Sequence, residues 1–285
     1  MRPGRYGTHV DEDGQVDAME RPDTASSLPE HLRGIGGIPG RALWLSEPVR
    51  AVLDAGLLVA ATPWLAAAKN GDGHGVLVLP GLMANDGSTK PLRAYIRRRG
   101  YFVRGWRLGR NLGPTSGIVA GMPGALRDLV ERSGGPVSII GWSLGGIYAR
   151  ELARTHPTLV RQVITLGSPI GVSNGHRTRA DRTFRMLSPL HPRRGEYADR
   201  NLLAASVPVP STSIYSKLDG IVGWRSCLGE PSNTHQNVEV RCAHLGFGVD
   251  PPTLWAVADR LAQRVGHVEQ FDPPRALRAF YGSIT

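Results

Sequence analysis

Lysine is almost missing from this 285-residue chain: Lys69, Lys90 and Lys217 are the whole complement, and the rest of its 34 basic residues are arginine. That imbalance reads as codon bias in a GC-rich genome, not as a nucleic-acid surface. The net charge is +10, but the arginines are scattered. Their densest clusters, Arg97-Arg98-Arg99 and Arg193-Arg194, are short and carry no interleaved aromatics, so no nucleic-acid partner is expected. Cysteine is nearly absent too, with only Cys227 and Cys242. They have no C-x-x-C spacing, and neither H-E-x-x-H nor a tight His/Asp cluster appears, so no metal is expected. The phosphate loop G-x-x-x-x-G-K-[S/T] is also missing. Gly34 to Gly40 is glycine-rich, but no strand precedes it and Pro39 interrupts it, which makes it a linker. No cofactor is expected.

Long hydrophobic runs are lacking. The most lipid-like stretch, Ala55 to Ala68, is 14 residues long, bounded by Asp54 and Lys69 and broken by Pro63. That is too short to span a bilayer. It reads as a packed helix, or as an interfacial one making peripheral membrane contact. The first twenty residues are polar and contain no apolar signal-peptide core, so the expected compartment is cytoplasmic. Residues 1–33 read as a flexible tail.

With 41% hydrophobic residues, the remainder can bury one large core. Residues 34–285 are expected to form one domain. Residues 41–68 have the look of one or two helices, with Pro48 and Pro63 as start or break points. Strands are then expected at Val76–Leu79, Tyr101–Trp106, Pro136–Ile140, Arg161–Leu166, Thr212–Ser216 and Val238–Arg241. Helices fall between them at Lys90–Arg99, about 118–133 and 146–154, and Val257–Val265 lies in a closing helix. The alternation predicts an α/β fold with a doubly wound, mainly parallel sheet. Residues 171–210 break the rhythm with Pro and Arg, too long for a simple connection, and are expected to form a small helical, lid-like insertion.

What is present in strength is Gly141-Trp142-Ser143-Leu144-Gly145. A β-branched run precedes this G-x-S-x-G pentapeptide and a helical pattern follows it. Strand, sharp turn and helix give a nucleophile elbow, with Gly141 and Gly145 where side chains would not fit and the Ser143 hydroxyl lifted clear of the sheet. Serine needs a base to take its proton and a carboxylate to orient that base. Asp219 follows a strand, at the edge where α/β sites assemble; an ordinary turn Asp before Gly220 is its bland reading. His244 follows the final strand. His235, His176, His191 and His267 sit in less suitable places. The oxyanion of an acyl-transfer intermediate requires two N–H donors, assigned to the backbone of Leu144 and of Leu82. Leu82, Met83, Trp106 and Trp142 flank this site and read either as an acyl pocket or as ordinary core. Cys227 and Cys242 bracket the interval between the acid and the base. They read either as a disulfide joining the two loops or as two reduced, buried thiols.

Taken together, these residues resemble the α/β-hydrolase superfamily in its bacterial lipase/esterase-like branch. The carriers are Leu79-Pro80-Gly81-Leu82, Gly141 to Gly146, Ile164 to Pro169, Leu218 to Val222 and His244-Leu245-Gly246. The resemblance implies a Ser143–His244–Asp219 triad and hydrolysis of a small-molecule or lipid ester through an acyl-enzyme. Two departures are present: Trp142 stands where many members have His, and Pro80-Gly81 where many have His-Gly. The same triad could pass the acyl group to an alcohol or thiol. A third reading keeps the pocket as a non-catalytic binding site. Nothing in the sequence sets an oligomeric state.

Overall fold

The computed structural model describes residues 38–171, 178–191, 206–266 and 268–285. The expected tail lies outside them, as do residues 172–177 and 192–205 of the expected insertion. The elements run α1 (Arg41–Ala60), α2 (Thr62–Ala66), β1 (Gly75–Leu79), α3 (Lys90–Arg98), β2 (Phe102–Gly105), α4 (Ser116–Ser133), β3 (Val137–Trp142), α5 (Leu144–Thr155), β4 (Val160–Leu166), α6 (Asp181–Met186), β5 (Ser211–Ser216), β6 (His235–Val240) and α7 (Pro251–Leu261).

Among the described residues six strands form one sheet in the order β2-β1-β3-β4-β5-β6, and every strand-to-strand pairing is parallel. β1 and β3 are buried at every residue. That is why they read as continuous apolar runs: parallel strands need cover on both faces. The period of two sorts the side chains. Val76, Val78, Ile140 and Ile164 pack with α3 and α7, whereas Leu77, Leu79, Ile139 and Val163 pack with α4 and α5. The chain leaves β1 towards β2 and returns on the other side to β3, so the order reverses between β1 and β3. A crevice opens at the carboxyl end of such a switch point.

Three expectations are corrected. β6 begins at His235, not at Val238. Its polar residues were unreadable as strand because their partners are remote. His235 meets Ser211 Oγ at 2.7 Å, and the C-terminal residues cover the strand edge through Asn237 N–H to Thr285 O at 2.6 Å. The closing helix starts earlier, at Pro251, with the Asp250 carboxylate accepting from Thr253 N–H, and stops at Leu261. Pro48 neither starts nor breaks a helix but lies inside α1.

α1 is inverted relative to an ordinary amphipathic helix. Glu47 and Asp54 are its buried residues. Leu45, Val49, Val52, Leu53, Leu57 and Val59 face outward, 58 to 77% exposed. Among the described residues no helix is long and apolar enough to cross a membrane.

Candidate active site

The turn after β3 holds Ser143 at φ +53°, ψ −120°, a left-handed conformation strained for a residue with a side chain. The tightness of the turn explains its glycines. A Cβ on Gly141 would lie 2.3 Å from Gly145 O, and one on Gly145 would lie 2.4 Å from Leu79 O. Ser143 N–H is anchored on Leu166 O of β4 at 2.8 Å. Leu144 is the first residue of α5, so its N–H has no intrahelical acceptor.

On the other side of the switch point, the loop after β1 approaches the serine. A Cβ on Gly81 would lie 3.2 Å from Ser143 Cβ. This loop is held by Asn111, which is wholly buried. Its Nδ2 donates to Pro80 O at 2.8 Å, its N–H to Ala84 O at 2.8 Å, and its carbonyl accepts from Met83 N–H at 2.7 Å. Its Oδ1 accepts from the Tyr148 hydroxyl at 3.3 Å. Met83 sits at φ +63° as the chain turns. Among the described residues, Leu82 N–H and Leu144 N–H donate to no protein acceptor.

The third wall comes from the loops after β5 and β6. His244 Nδ1 lies 2.6 Å from Asp219 Oδ2, and both residues are buried. Asp219 Oδ1 accepts from the N–H groups of Ile221 at 2.8 Å and Val222 at 2.7 Å, which fixes the carboxylate in its turn. Burial works against a charged imidazole at His244. The charge and hydrogen bond of Asp219, with the charge of Glu47, outweigh it and raise the His244 pKa above its ordinary value. Trp142 Nε1 donates to His244 O at 3.1 Å, tying the serine turn to the loop after β6. Gly167, at φ +54°, leaves the space in which the pair sits. A Cβ there would lie 3.1 Å from both Asp219 Oδ2 and His244 Nδ1.

These parts converge on one cleft of about 380 Å³. Gly81, Leu82, Met83, Trp142, Ser143 and His244 line it, joined by Trp44 of α1 and by Arg179, Ala180 and Thr183 at the start of α6. Trp106, read as a pocket residue, is elsewhere. It is buried in the core beneath the sheet, stacked on Tyr148 at 6.4 Å. Cys227 and Cys242 are both free and buried, so no bridge joins the loops. They pack in different clusters, Cys227 with Tyr215 and Val222, Cys242 with Phe247 and Leu254. Among the described residues no group of side chains could hold a metal ion. His176 and His267 lie outside the described residues. His191 Nε2 meets Leu112 O at 2.9 Å, and His191 does not line the cleft.

A second Asp–His–Ser chain exists at the opposite end of the sheet. Asp72 Oδ1 lies 2.5 Å from His74 Nδ1, and His74 Nε2 lies 2.7 Å from Ser138 Oγ. Ser138 is 0% exposed, within β3. No substrate reaches an oxygen enclosed by a sheet, so this chain is a structural tie between β1 and β3.

Glu47 and Asn111, like the cleft-lining Trp44, Arg179 and Thr183, had no site role in the sequence, and Gly167 entered only within the Ile164–Pro169 motif. Gly167 carried a signal, since Gly-Ser-Pro follows a strand directly. Glu47 and Asn111 carried none, because each acts through backbone groups remote in sequence. Glu47 Oε1 accepts from Gly220 N–H at 2.6 Å and His244 N–H at 3.0 Å, and its Oε2 accepts from Leu245 N–H at 3.1 Å.

No family model matches the chain and no curated protein matches it. Solved structures do. Aspergillus fumigatus lipase B superposes with a TM-score of 0.52 at 17% identity, over 70% of this chain and 56% of the lipase. A structure from work on LipS and LipT, two metagenome-derived lipolytic enzymes, gives 0.49 at 17% identity, over 68% of this chain and 93% of that one. An extracellular α/β-hydrolase from a Paenibacillus species gives 0.45 at 13% identity, over 67% of this chain and 100% of that one. With six parallel strands among the described residues, helices on both faces and a strained serine turn at the β1/β3 switch point, the chain has an α/β-hydrolase fold.

Proposed function

We propose that the chain is a serine hydrolase acting on carboxylic esters. The observation that carries this reading is the buried His244–Asp219 pair, 2.6 Å apart, sharing one cleft with Ser143 on its strained turn. In this reading His244 Nε2 takes the Ser143 proton as Oγ attacks the ester carbonyl. Asp219 holds the imidazole by Nδ1 and stabilises its charged form. The N–H groups of Leu82 and Leu144 receive the oxyanion. The alkoxide leaves with the proton from His244, and water, activated by the same base, releases the acid from the acyl-enzyme. Leu82, Met83, Trp142 and Trp44 offer the apolar walls that an acyl group requires.

The outward apolar face of α1 supports lipid esters presented at a surface over freely soluble ones. Sedimentation with phosphatidylglycerol-containing vesicles measures this directly, and a chain that stays in the supernatant rules it out.

The test of the chemistry is turnover of p-nitrophenyl esters from acetate to palmitate, with Ser143→Ala alongside. Turnover that vanishes in the variant supports the reading, and the chain-length optimum separates esterase from lipase. A wild-type chain that is inert and unlabelled by a fluorophosphonate at Ser143 refutes it.

A further inference from the structure

α1 precedes the first strand of the sheet, yet it reaches the acid and the base together. A carboxylate buried to 2% exposure, as Glu47 is, demands several donors. Glu47 finds them on both loops: Gly220 N–H beside Asp219, then His244 N–H and Leu245 N–H. Its helix neighbour Arg50 completes the grip. Arg50 Nη2 lies 3.0 Å from Glu47 Oε1, and Arg50 Nη1 donates to Leu218 O at 2.6 Å. The backbone is therefore held on either side of Asp219, at Leu218 and Gly220. Two helical turns further on, Asp54 accepts from Ala243 N–H at 3.0 Å. Gly246 is closely packed on it, since a Cβ there would lie 1.9 Å from Asp54 Oδ2. Three successive base-loop N–H groups, from Ala243 to Leu245, are thus spent on carboxylates of α1.

Without the carboxylates these donors would fall to water, which would not fix the distance between the loops. Among the described residues, the other hydrogen bonds between these loops are that of His244 with Asp219 and Ser216 Oγ donating to Cys242 O at 2.7 Å. We infer that Glu47 is a positioning residue of the active site, which sets the separation and orientation of Asp219 and His244 by binding the backbone of both their loops. It touches no reacting atom. This inference rests on the hydrolase reading for its consequence in turnover, but not for its geometry.

Its second effect is electrostatic. The Glu47 charge favours the imidazolium of His244, so removing that charge lowers the pKa of the base. The charged groups that act on His244 are Asp219 and Glu47; Asp54 holds the preceding N–H of Ala243, and Arg179 lines the same cleft. Of the two that favour its charged form, only Glu47 can be neutralised without dissolving the pair.

The experiment compares Glu47→Gln and Glu47→Ala with wild type in the full chain. Misplacing a reacting group by an ångström costs on the order of 100-fold in rate. Glu47→Ala is therefore expected to lower kcat about 100-fold per folded molecule, with KM within about twofold. Glu47→Gln keeps one acceptor oxygen and should recover part of that loss, about tenfold. In Glu47→Gln the acid limb of kcat/KM moves to lower pH, and the His244 imidazole titrates at lower pH by NMR. Circular dichroism melts supply the folded fraction. Unchanged kcat per folded molecule, or an unmoved acid limb, overturns the inference. If the wild-type chain proves inert towards esters, the hydrolase reading fails alone. The NMR titration then still decides, because a His244 resonance and titration identical in wild type and Glu47→Gln overturn the positioning role.

Discussion

Gly167→Ala isolates the space on which the acid–base pair depends. Gly167 sits at φ +54°, and a Cβ there would lie 2.5 Å from Phe247 Cε2 and 3.1 Å from both Asp219 Oδ2 and His244 Nδ1. Two penalties add. The left-handed backbone costs an L-residue about 1 kcal/mol. The carbon contact falls short of the roughly 3.5–4.0 Å optimum by at least ~1 Å. Relieving such overpacking in a filled core costs about 1–3 kcal/mol. Phe247 is wholly buried, with its ring edge-on to His244 at 6.1 Å between centroids. Relief therefore pushes towards the pair. The expected loss is about 2–4 kcal/mol of stability in urea unfolding. Turnover of p-nitrophenyl butyrate per folded molecule should drop on the order of 100-fold. Gly134→Ala is the control. Gly134 has φ +75° at the end of α4, and nothing lies within 4 Å of the point a Cβ would occupy. It bears the backbone penalty of about 1 kcal/mol without touching the site. If Gly167→Ala retains as much activity per folded molecule as Gly134→Ala, the steric reasoning about the pair is refuted.

Asn111→Ala removes the brace of the loop that carries Leu82. It is expected to lower kcat about 10-fold or more with little change in KM, because in the proposed mechanism the loop supplies a transition-state donor; an equal rise in KM with kcat intact would argue for a binding role instead. Ser138→Ala breaks the buried Asp72–His74–Ser138 chain and should lower stability by about 1–2 kcal/mol while leaving ester turnover within about twofold. Loss of turnover per folded molecule would mean that chain does more than tie strands. His235 is buried at the start of β6, and burial pushes its pKa down to about 4. The unfolded imidazole titrates near 6.5, so below that pH the unfolded state binds a proton that the folded state refuses. Stability from this group is complete above about pH 6.5 and falls by about 3 kcal/mol as pH drops towards 4. Thermal midpoints of wild type and His235→Gln between pH 7.5 and 4.5 should converge on acidification; parallel lines would contradict it.

The sequence by itself placed most of the sheet's strands and their parallel sense, but not their order. Strands buried on both faces favour apolar residues, so β1 and β3 stand out as runs, and alternation with helices implies parallel pairing; β5 and β6 are buried as fully but carry Ser, Thr, Gln, Asn and Glu. The serine turn was legible for a related reason: Gly141 and Gly145 are demanded by contacts within a few residues. Asp219 and His244 were legible only as positions after strands. Their 2.6 Å approach is a product of β5 and β6 lying side by side. Where partners are far apart in sequence the reading stopped. His235 to Asn237 look like loop until Ser211 and the C-terminal residues satisfy them. Trp106 follows β2 at the end of the sheet where the site lies, yet its side chain packs in the core against Tyr148 and does not line the cleft. The two cysteines bracket the same interval but pack in separate clusters. Glu47 reads as one charge on an apolar helix, the residue type that would ordinarily face water. Only the tertiary structure turns it inward, because only there do three backbone N–H groups from two distant loops meet at one point and make a buried carboxylate stable.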